Sequence, residues 1–469
     1  MRQTRRALFV AVMVLVAWLP LPYASNRPWS EALFAIMAGL LLCLLGVVTL
    51  SHKRHVLPQC VRSRVRPMVF LLLIAQGWVA LQWLFGVSTD PGASMTTLVT
   101  GLGLTALFIL VCAVADSRRR LTTLLVVLVV SGVSQGFIAS AQSISGVDWW
   151  VFEADSRASG TFINANHAAN YLAMCLAAGT GLLLALRDGR PFRWWRLPDW
   201  LLGPKALIRL ALVVMVIALV MTRSRMGNTA FFTGLLLTGG LFLMLQPGRR
   251  LRNMLLLASL LVVDLMIISQ YFGLDQLRDR IAETRFRDEV MLVSDAVDDA
   301  PREVVVERAN VTRDNVAVYA LPQLLDRPWM GYGAGAFEAS FQRFPGSDVT
   351  LHWDHAHNDY LQFLIEYGIV GTLPLVAFVL MTLWHGVRAM ANRESLYRNG
   401  AATGAVMAVV IMLIHSGADF SLQLPANAAT FVVLCAVAVL ARSHRGRQRG
   451  SPRRGGHSDW GAVDDAASG

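Results

Sequence analysis

Leu104-Thr105-Ala106-Leu107-Phe108-Ile109-Leu110-Val111-Cys112-Ala113-Val114-Ala115-Asp116-Ser117-Arg118-Arg119-Arg120-Leu121 is the stretch that decides the fold. An apolar run stops at Asp116, three consecutive arginines follow, and a second apolar run begins at Leu121. A run of about 20 apolar residues has the length an α-helix needs to cross ~30 Å of hydrocarbon. Arginines in a short joint between two such runs stay on the cytoplasmic side. The stretch therefore reads as a membrane hairpin with its turn inside.

The pattern repeats in both directions. Apolar runs of spanning length fall at about 7–24, 31–51, 67–87, 97–116, 121–141 and 166–186. A second set falls at about 206–222, 228–246, 254–271, 368–390, 401–418 and 424–441. Arg2, Arg5 and Arg6 precede the first run, and clusters such as Arg62, Arg64 and Arg66, or Arg249, Arg250 and Arg252, follow the even-numbered ones. Twelve crossings with both termini inside satisfy every cluster. The expectation is an all-α, multi-pass protein of the bacterial inner membrane. Its first helix reads as uncleaved, because the small-residue pattern near Pro22-Tyr23-Ala24-Ser25 is a poor cleavage site. Cleavage there would leave eleven spans and the same orientation for the rest.

Composition agrees. Of 469 residues 55% are hydrophobic and only 16% charged, where a soluble chain carries nearer a quarter charged. The mean hydropathy is +0.50. A net charge of +11 would admit nucleic acid as a partner. Most of the basic residues lie in short joints between apolar runs, so they report topology and the expected partners are membrane lipids, not nucleic acid. The five cysteines form no CxxC pair and none falls in the long polar loop, so they read as packing residues.

The chain divides into helices 1–5 over residues 1–141, helices 6–9 over 142–271, a large outward loop over 272–367, helices 10–12 over 368–441, and a basic, disordered tail over 442–469. Within the loop, 274–294 and 306–325 read as short helices, and 326–350 is punctuated by glycine and proline.

Arginine is disfavoured on the outward side, yet Arg157, Arg223, Arg225 and Arg313 fall on or beside it. A guanidinium is permanently charged and grips phosphate through two parallel hydrogen bonds. Several of them at a membrane surface suit a lipid-linked diphosphate, while a single one equally suits a pairing with a loop carboxylate. His352-Trp353-Asp354-His355-Ala356-His357-Asn358-Asp359 leads into a helix for which Asn358 or Asp359 is a natural N-cap. His357 then sits at a helix N-terminus, where a general base or a proton donor to phosphate is well placed. A metal site is a second reading of these residues, weakened by the lack of a helical i, i+4 pair, and a purely structural cap is a third. Gly331-Tyr332-Gly333-Ala334-Gly335 reads as a tight turn or as a phosphate-binding nest of N–H groups. Arg308 and Arg313 lie five apart on a predicted helix, about 140° around it, so both cannot face one site. Asp264 lies mid-span, which is costly unless it is paired or wetted. His415 and Asp419 close the eleventh span on the outward side.

The motifs, in order, are Arg157-Ala158-Ser159-Gly160-Thr161-Phe162-Ile163-Asn164-Ala165-Asn166, then Thr222-Arg223-Ser224-Arg225, then Arg313 with Pro328-Trp329-Met330-Gly331-Tyr332-Gly333-Ala334-Gly335. His357-Asn358-Asp359-Tyr360-Leu361-Gln362, Glu366-Tyr367-Gly368 and His415-Ser416 with Asp419-Phe420 complete the set. Together they resemble the O-antigen ligase and polymerase family of bacterial envelope glycosyltransferases, over about residues 150–430. The resemblance implies transfer of a glycan from undecaprenyl diphosphate to an acceptor sugar hydroxyl on the periplasmic face, with no cofactor, metal or nucleotide sugar. It implies that Arg157, Arg223, Arg225 and Arg313 hold the diphosphate and that His357 assists the hydroxyl, with Asn164, Asn166, Tyr360 and Asp419 in support. The acceptor is a lipid A core sugar for a ligase or a growing polysaccharide for a polymerase, and the sequence does not separate the two. A transporter or flippase for the lipid-linked glycan is the alternative. It would concentrate polar residues at mid-membrane, whereas here, Asp264 apart, they gather at the outward surface.

Overall fold

The computed structural model describes residues 2–51, 59–145, 157–187, 204–250, 253–254, 257–258, 313–344 and 353–443. Among them the fold is helical throughout, with no strand. The first eight helices are α1 (Arg2–Trp18), α2 (Pro28–Ser51), α3 (Gln59–Leu84), α4 (Pro91–Val114), α5 (Arg118–Ser145), α6 (Ala165–Ala185), α7 (Pro204–Met221) and α8 (Arg225–Leu245). The rest are α9 (Arg313–Asp326), α10 (Phe337–Phe341), α11 (Asp359–Met390), α12 (Leu396–His415) and α13 (Pro425–Ser443). Among the described residues nine helices, α2–α6, α8 and α11–α13, are long and apolar enough to cross a membrane. With 17 and 18 residues, α1 and α7 lie at the short limit for a span. The expected span at 254–271 falls almost wholly outside the described residues, as do Asp264, Arg308, the expected helix at 274–294 and the tail from 444.

Every residue of α6 is buried. Its small side chains permit that position: a Cβ on Gly181 would stand 2.6 Å from Gly404 Cα of α12, so the two backbones touch. The outer helices turn apolar side chains outward instead. Leu33, Ile36, Leu40, Leu44 and Val47 of α2 are exposed at helical spacing, as a lipid-facing stripe must be.

Successive long helices run in alternation, so the bundle has two unlike ends. One is basic: Arg5 and Arg120 both reach Asp116 at 3.2 Å, and Arg398 caps α13 through the carbonyls of Ala441 and Arg442. At the other, here called the site end, α2, α4, α6, α8, α11 and α13 begin and α1, α3, α5, α7 and α12 finish.

A helical cap lies over the site end. Val316 and Ala320 of α9 and Phe337 and Phe341 of α10 pack with Tyr332 and Ile365. The Gly-rich loop ties this cap to the bundle. Tyr332 N and Gly333 N donate to Ile365 O and Glu366 O at 2.9 and 3.0 Å, Gly331 N donates to Arg327 O at 3.0 Å, and Gly335 N donates to Glu366 Oε2 at 2.9 Å. Those donors are committed to protein acceptors, which makes the segment a tight turn and not an open nest. The loop meets α11 where that helix breaks, at Gly368 (φ 63°, ψ 178°). Only glycine fits there, because a Cβ would lie 2.2 Å from Trp329 O. The break falls where the sequence places the passage from loop to span. α3 begins eight residues before its expected span, since Arg62, Arg64 and Arg66 are good helix formers and continue the helix beyond the apolar run.

Candidate active site

Asn358, the N-cap of α11, fixes the start of the site. Its side chain accepts from Leu361 N at 3.1 Å and donates to Gly417 O at 3.1 Å. Asp359 next to it is fully buried: its N–H donates to Ser416 O, and its Oδ2 accepts from Ser416 Oγ at 2.8 Å and Leu422 N at 3.1 Å. The beginning of α11 is thereby clamped to the connection between α12 and α13.

That clamp brings His357 to Asp419. The His357 Nδ1 to Asp419 Oδ1 distance is 3.9 Å, and His167 Nε2 of α6 approaches the same oxygen at 3.4 Å. His415, whose Nδ1 lies 3.2 Å from Ser421 Oγ, is the third histidine beside this carboxylate. Burial works against a charge on Asp419, but the imidazoles of His167 and His357, with His415 close by, outweigh it. They hold the carboxyl well below the usual carboxylate range. The ring of Phe420 is the common wall, with centroids 4.6 Å from His167, 4.0 Å from His355 and 4.9 Å from His357. Burial pushes the His355 imidazole down from its ordinary value, and its Nδ1 accepts from Gln362 Nε2 at 3.0 Å.

His357 has φ 50°, a left-handed conformation that costs a non-glycine residue about 1–3 kcal/mol. Arg223 has φ 52°. Both lie at the site end, where such strain is expected if it serves a purpose. In the joint between α7 and α8, Thr222 and Ser224 are buried and Arg223 and Arg225 are exposed. Thr222 Oγ1 donates to Leu219 O at 2.6 Å and Ser224 Oγ caps α8 by accepting from Gly227 N at 3.1 Å, so the buried pair presents the two arginines. The first turn of α8 presses on α6: a Cβ on Gly227 would stand 2.5 Å from Ala169 Cβ, two residues from His167.

The loop bearing Arg157 is held by side-chain amides of α5. Gln142 bonds both the N–H and the carbonyl of Gly160, at 2.9 and 2.8 Å, and Gln135 Oε1 accepts from Thr161 N at 3.0 Å. Ala158 packs with Ala139 and with Met221, the last residue of α7, so Arg157 lies at the same bundle end as Arg223. Arg313 opens α9 in the cap, and its side chain is outside the described residues.

The remaining sequence candidates are structural in placement. Asn164 caps α6 by accepting from Asn166 N at 2.8 Å, and Asn166 is buried. The Tyr360 hydroxyl donates to Leu413 O at 2.5 Å and so ties α11 to α12. His167 was missed by the sequence reading, although the first turn of an apolar helix beginning Asn164-Ala165-Asn166-His167 is conspicuously polar. Phe420 and Gln362 gave no signal of their own.

Residues 210–376 match the family model described as O-antigen ligase. Over this segment the chain is similar to the O-antigen ligase family. With nine helices long and apolar enough to cross a membrane among the described residues, this similarity supports a multi-pass membrane protein with a glycosyltransferase-type function in polysaccharide synthesis. The matched segment contains Arg223, Arg225, Arg313 and His357. Arg157, His167, His415 and Asp419 lie outside it and reach the site only through the fold. No curated protein gives a significant match to the chain.

Proposed function

We propose that the chain transfers a glycan from undecaprenyl diphosphate to a sugar hydroxyl of lipid A core or of a growing polysaccharide, on the periplasmic face of the inner membrane. In this reading the site end faces the periplasm and the basic end the cytoplasm, as the distribution of arginine favours. One observation carries the proposal: a histidine 3.9 Å from a buried carboxylate lies at the same bundle end as exposed arginines and several helix N-termini. The arginines and helix dipoles favour a diphosphate there.

The chemistry needs little more. The acceptor oxygen attacks the anomeric carbon, the bond from that carbon to the diphosphate oxygen breaks, and the electron pair leaves with the diphosphate. The hydroxyl proton passes to His357. Its Nδ1 is turned towards Asp419, so Nε2 is the nitrogen left for substrate, and Asp419 holds the ring in that tautomer. Arg157, Arg223, Arg225 and Arg313 stabilise charge on the departing diphosphate.

The test is a surface-glycan profile of a deletion strain complemented with wild type, His357→Ala or Arg225→Ala. Long chains left on the carrier and missing from lipid A core identify a ligase. Single repeat units alone identify a polymerase. Wild-type profiles from both variants would refute the site.

A further inference from the structure

Beyond Phe420 and His355 lies a cavity of about 410 Å³ bounded by α3, α4, α11 and α13. His355 lines it, and the same imidazole stacks on Phe420, whose other contacts are His167 and His357. One thin wall thus separates this cavity from the histidine–carboxylate centre. Its chemistry is the reverse of the arginine side. Glu31, Glu338, Asp354 and Glu366 line it, and among the described residues neither lysine nor arginine does. Thr96, Thr97 and Thr100 of α4 add hydroxyls. Gln76 contributes an Oε1 that is buried and accepts no hydrogen bond among the described residues. Deeper, Leu104, Phe378 and Val432 make the lining apolar. From Thr96 to Thr105 the α4 wall descends about 14 Å.

A lining of this kind sorts ligands by charge. Carboxyl, amide and hydroxyl groups bond sugar hydroxyls as donors or acceptors, whether or not the carboxyls are ionised. An anionic group would find no positive partner and would be desolvated at a cost. The apolar depth suits an apolar substituent on the sugar that enters, and the rest of an acceptor glycan would stay outside the mouth. The volume is within the range of sites that enclose a small ligand.

We propose that this cavity is the acceptor site, and that it takes an uncharged or amine-bearing sugar carrying an apolar substituent, while phosphate and carboxylate are excluded. Donor and acceptor are then separated by charge on the two sides of the Phe420 wall: diphosphate towards Arg223 and Arg225, acceptor towards Glu338 and Asp354. The acceptor role rests on the transferase reading above, but the binding selectivity does not.

The probe is a diazirine-bearing octyl glucoside, photolysed with the protein in lipid nanodiscs and mapped by peptide mass spectrometry. Labelling is expected on α4 and α13, and unlabelled octyl glucoside should compete at least tenfold better than octyl glucuronide, which differs by one carboxylate. Thr100→Phe, which fills the cavity, should abolish the labelling. Asp354→Lys with Glu338→Lys, both exposed changes at the mouth, should narrow the tenfold preference to twofold or less. His357→Ala should label as wild type does, so a failed transfer reaction and a failed binding site give different results. Equal competition by glucoside and glucuronide, or labelling confined to lipid-facing residues and unchanged by Thr100→Phe, would overturn the proposal.

Discussion

His167 and His357 lie 190 residues apart in sequence and meet on one atom, Oδ1 of Asp419, at 3.4 and 3.9 Å. Their side chains are 5% and 13% exposed, so His357 is the one a substrate can reach and His167 the one that holds the carboxylate. Replacing His357 with alanine should lower transfer by about 10²–10⁴-fold, the range of a lost general base. His167→Ala should cost less and act through Asp419. Assays of the two single variants and the double variant check this, because residues acting as one unit give far less than additive losses.

The exposed arginines at the head of α8 should behave differently from one another's conservative replacements. Arg225→Ala removes a charge-stabilising donor and should reduce turnover on the order of a hundredfold. Arg225→Lys keeps the charge but loses the two-pronged contact, and should fall between alanine and wild type. Turnover of a lipid-diphosphate-linked glycan by the purified variants gives the order.

Asp419 makes a prediction about pH. Its carboxyl is held below the ordinary value of 3.8, so the folded state binds fewer protons than the unfolded state as acid is added. Its contribution to stability is therefore complete above about pH 4 and is lost as the pH falls through the depressed value. The difference in melting temperature between wild type and Asp419→Asn should be present at pH 6 and should shrink below pH 4.

Gly368 joins the cap to the membrane helix. Gly368→Ala puts a β-carbon 2.2 Å from Trp329 O at φ 63°, ψ 178°, a backbone region essentially reserved for glycine that alone costs about 1–3 kcal/mol. The melting temperature should drop, and limited proteolysis should cut the chain between 328 and 358 before it cuts the bundle.

Much of the fold was legible because each span is a long apolar run bounded by arginines, and such a run has one inexpensive conformation in a membrane. The break at Gly368 was not legible, because Tyr360 to Gly368 reads as one helix entering the membrane and only the contact with Trp329 requires the turn. The N-cap role of Asn358 also followed from sequence, because its side chain competes for the first free N–H groups of a helix. The meeting of His167, His357 and Asp419 was not legible: it depends on the clamp of Asp359 against Ser416 and Leu422, a contact between segments about sixty residues apart. The acidic cavity was hidden likewise, because Glu31, Glu338 and Glu366 are distant in sequence and each alone reads as an ordinary loop or helix-end carboxylate.

The central claim is that glycan leaves its carrier here, and reconstituted transfer tests it most directly. Purified protein in liposomes would be given a lipid-diphosphate-linked glycan and a sugar acceptor, with no nucleotide sugar, and both products would be measured. Free lipid diphosphate and extended acceptor should appear in equal amounts with wild type, and His357→Ala should produce neither at a comparable rate. Glycan that crosses the bilayer still attached to its carrier, or a wild-type rate from His357→Ala, would contradict the account.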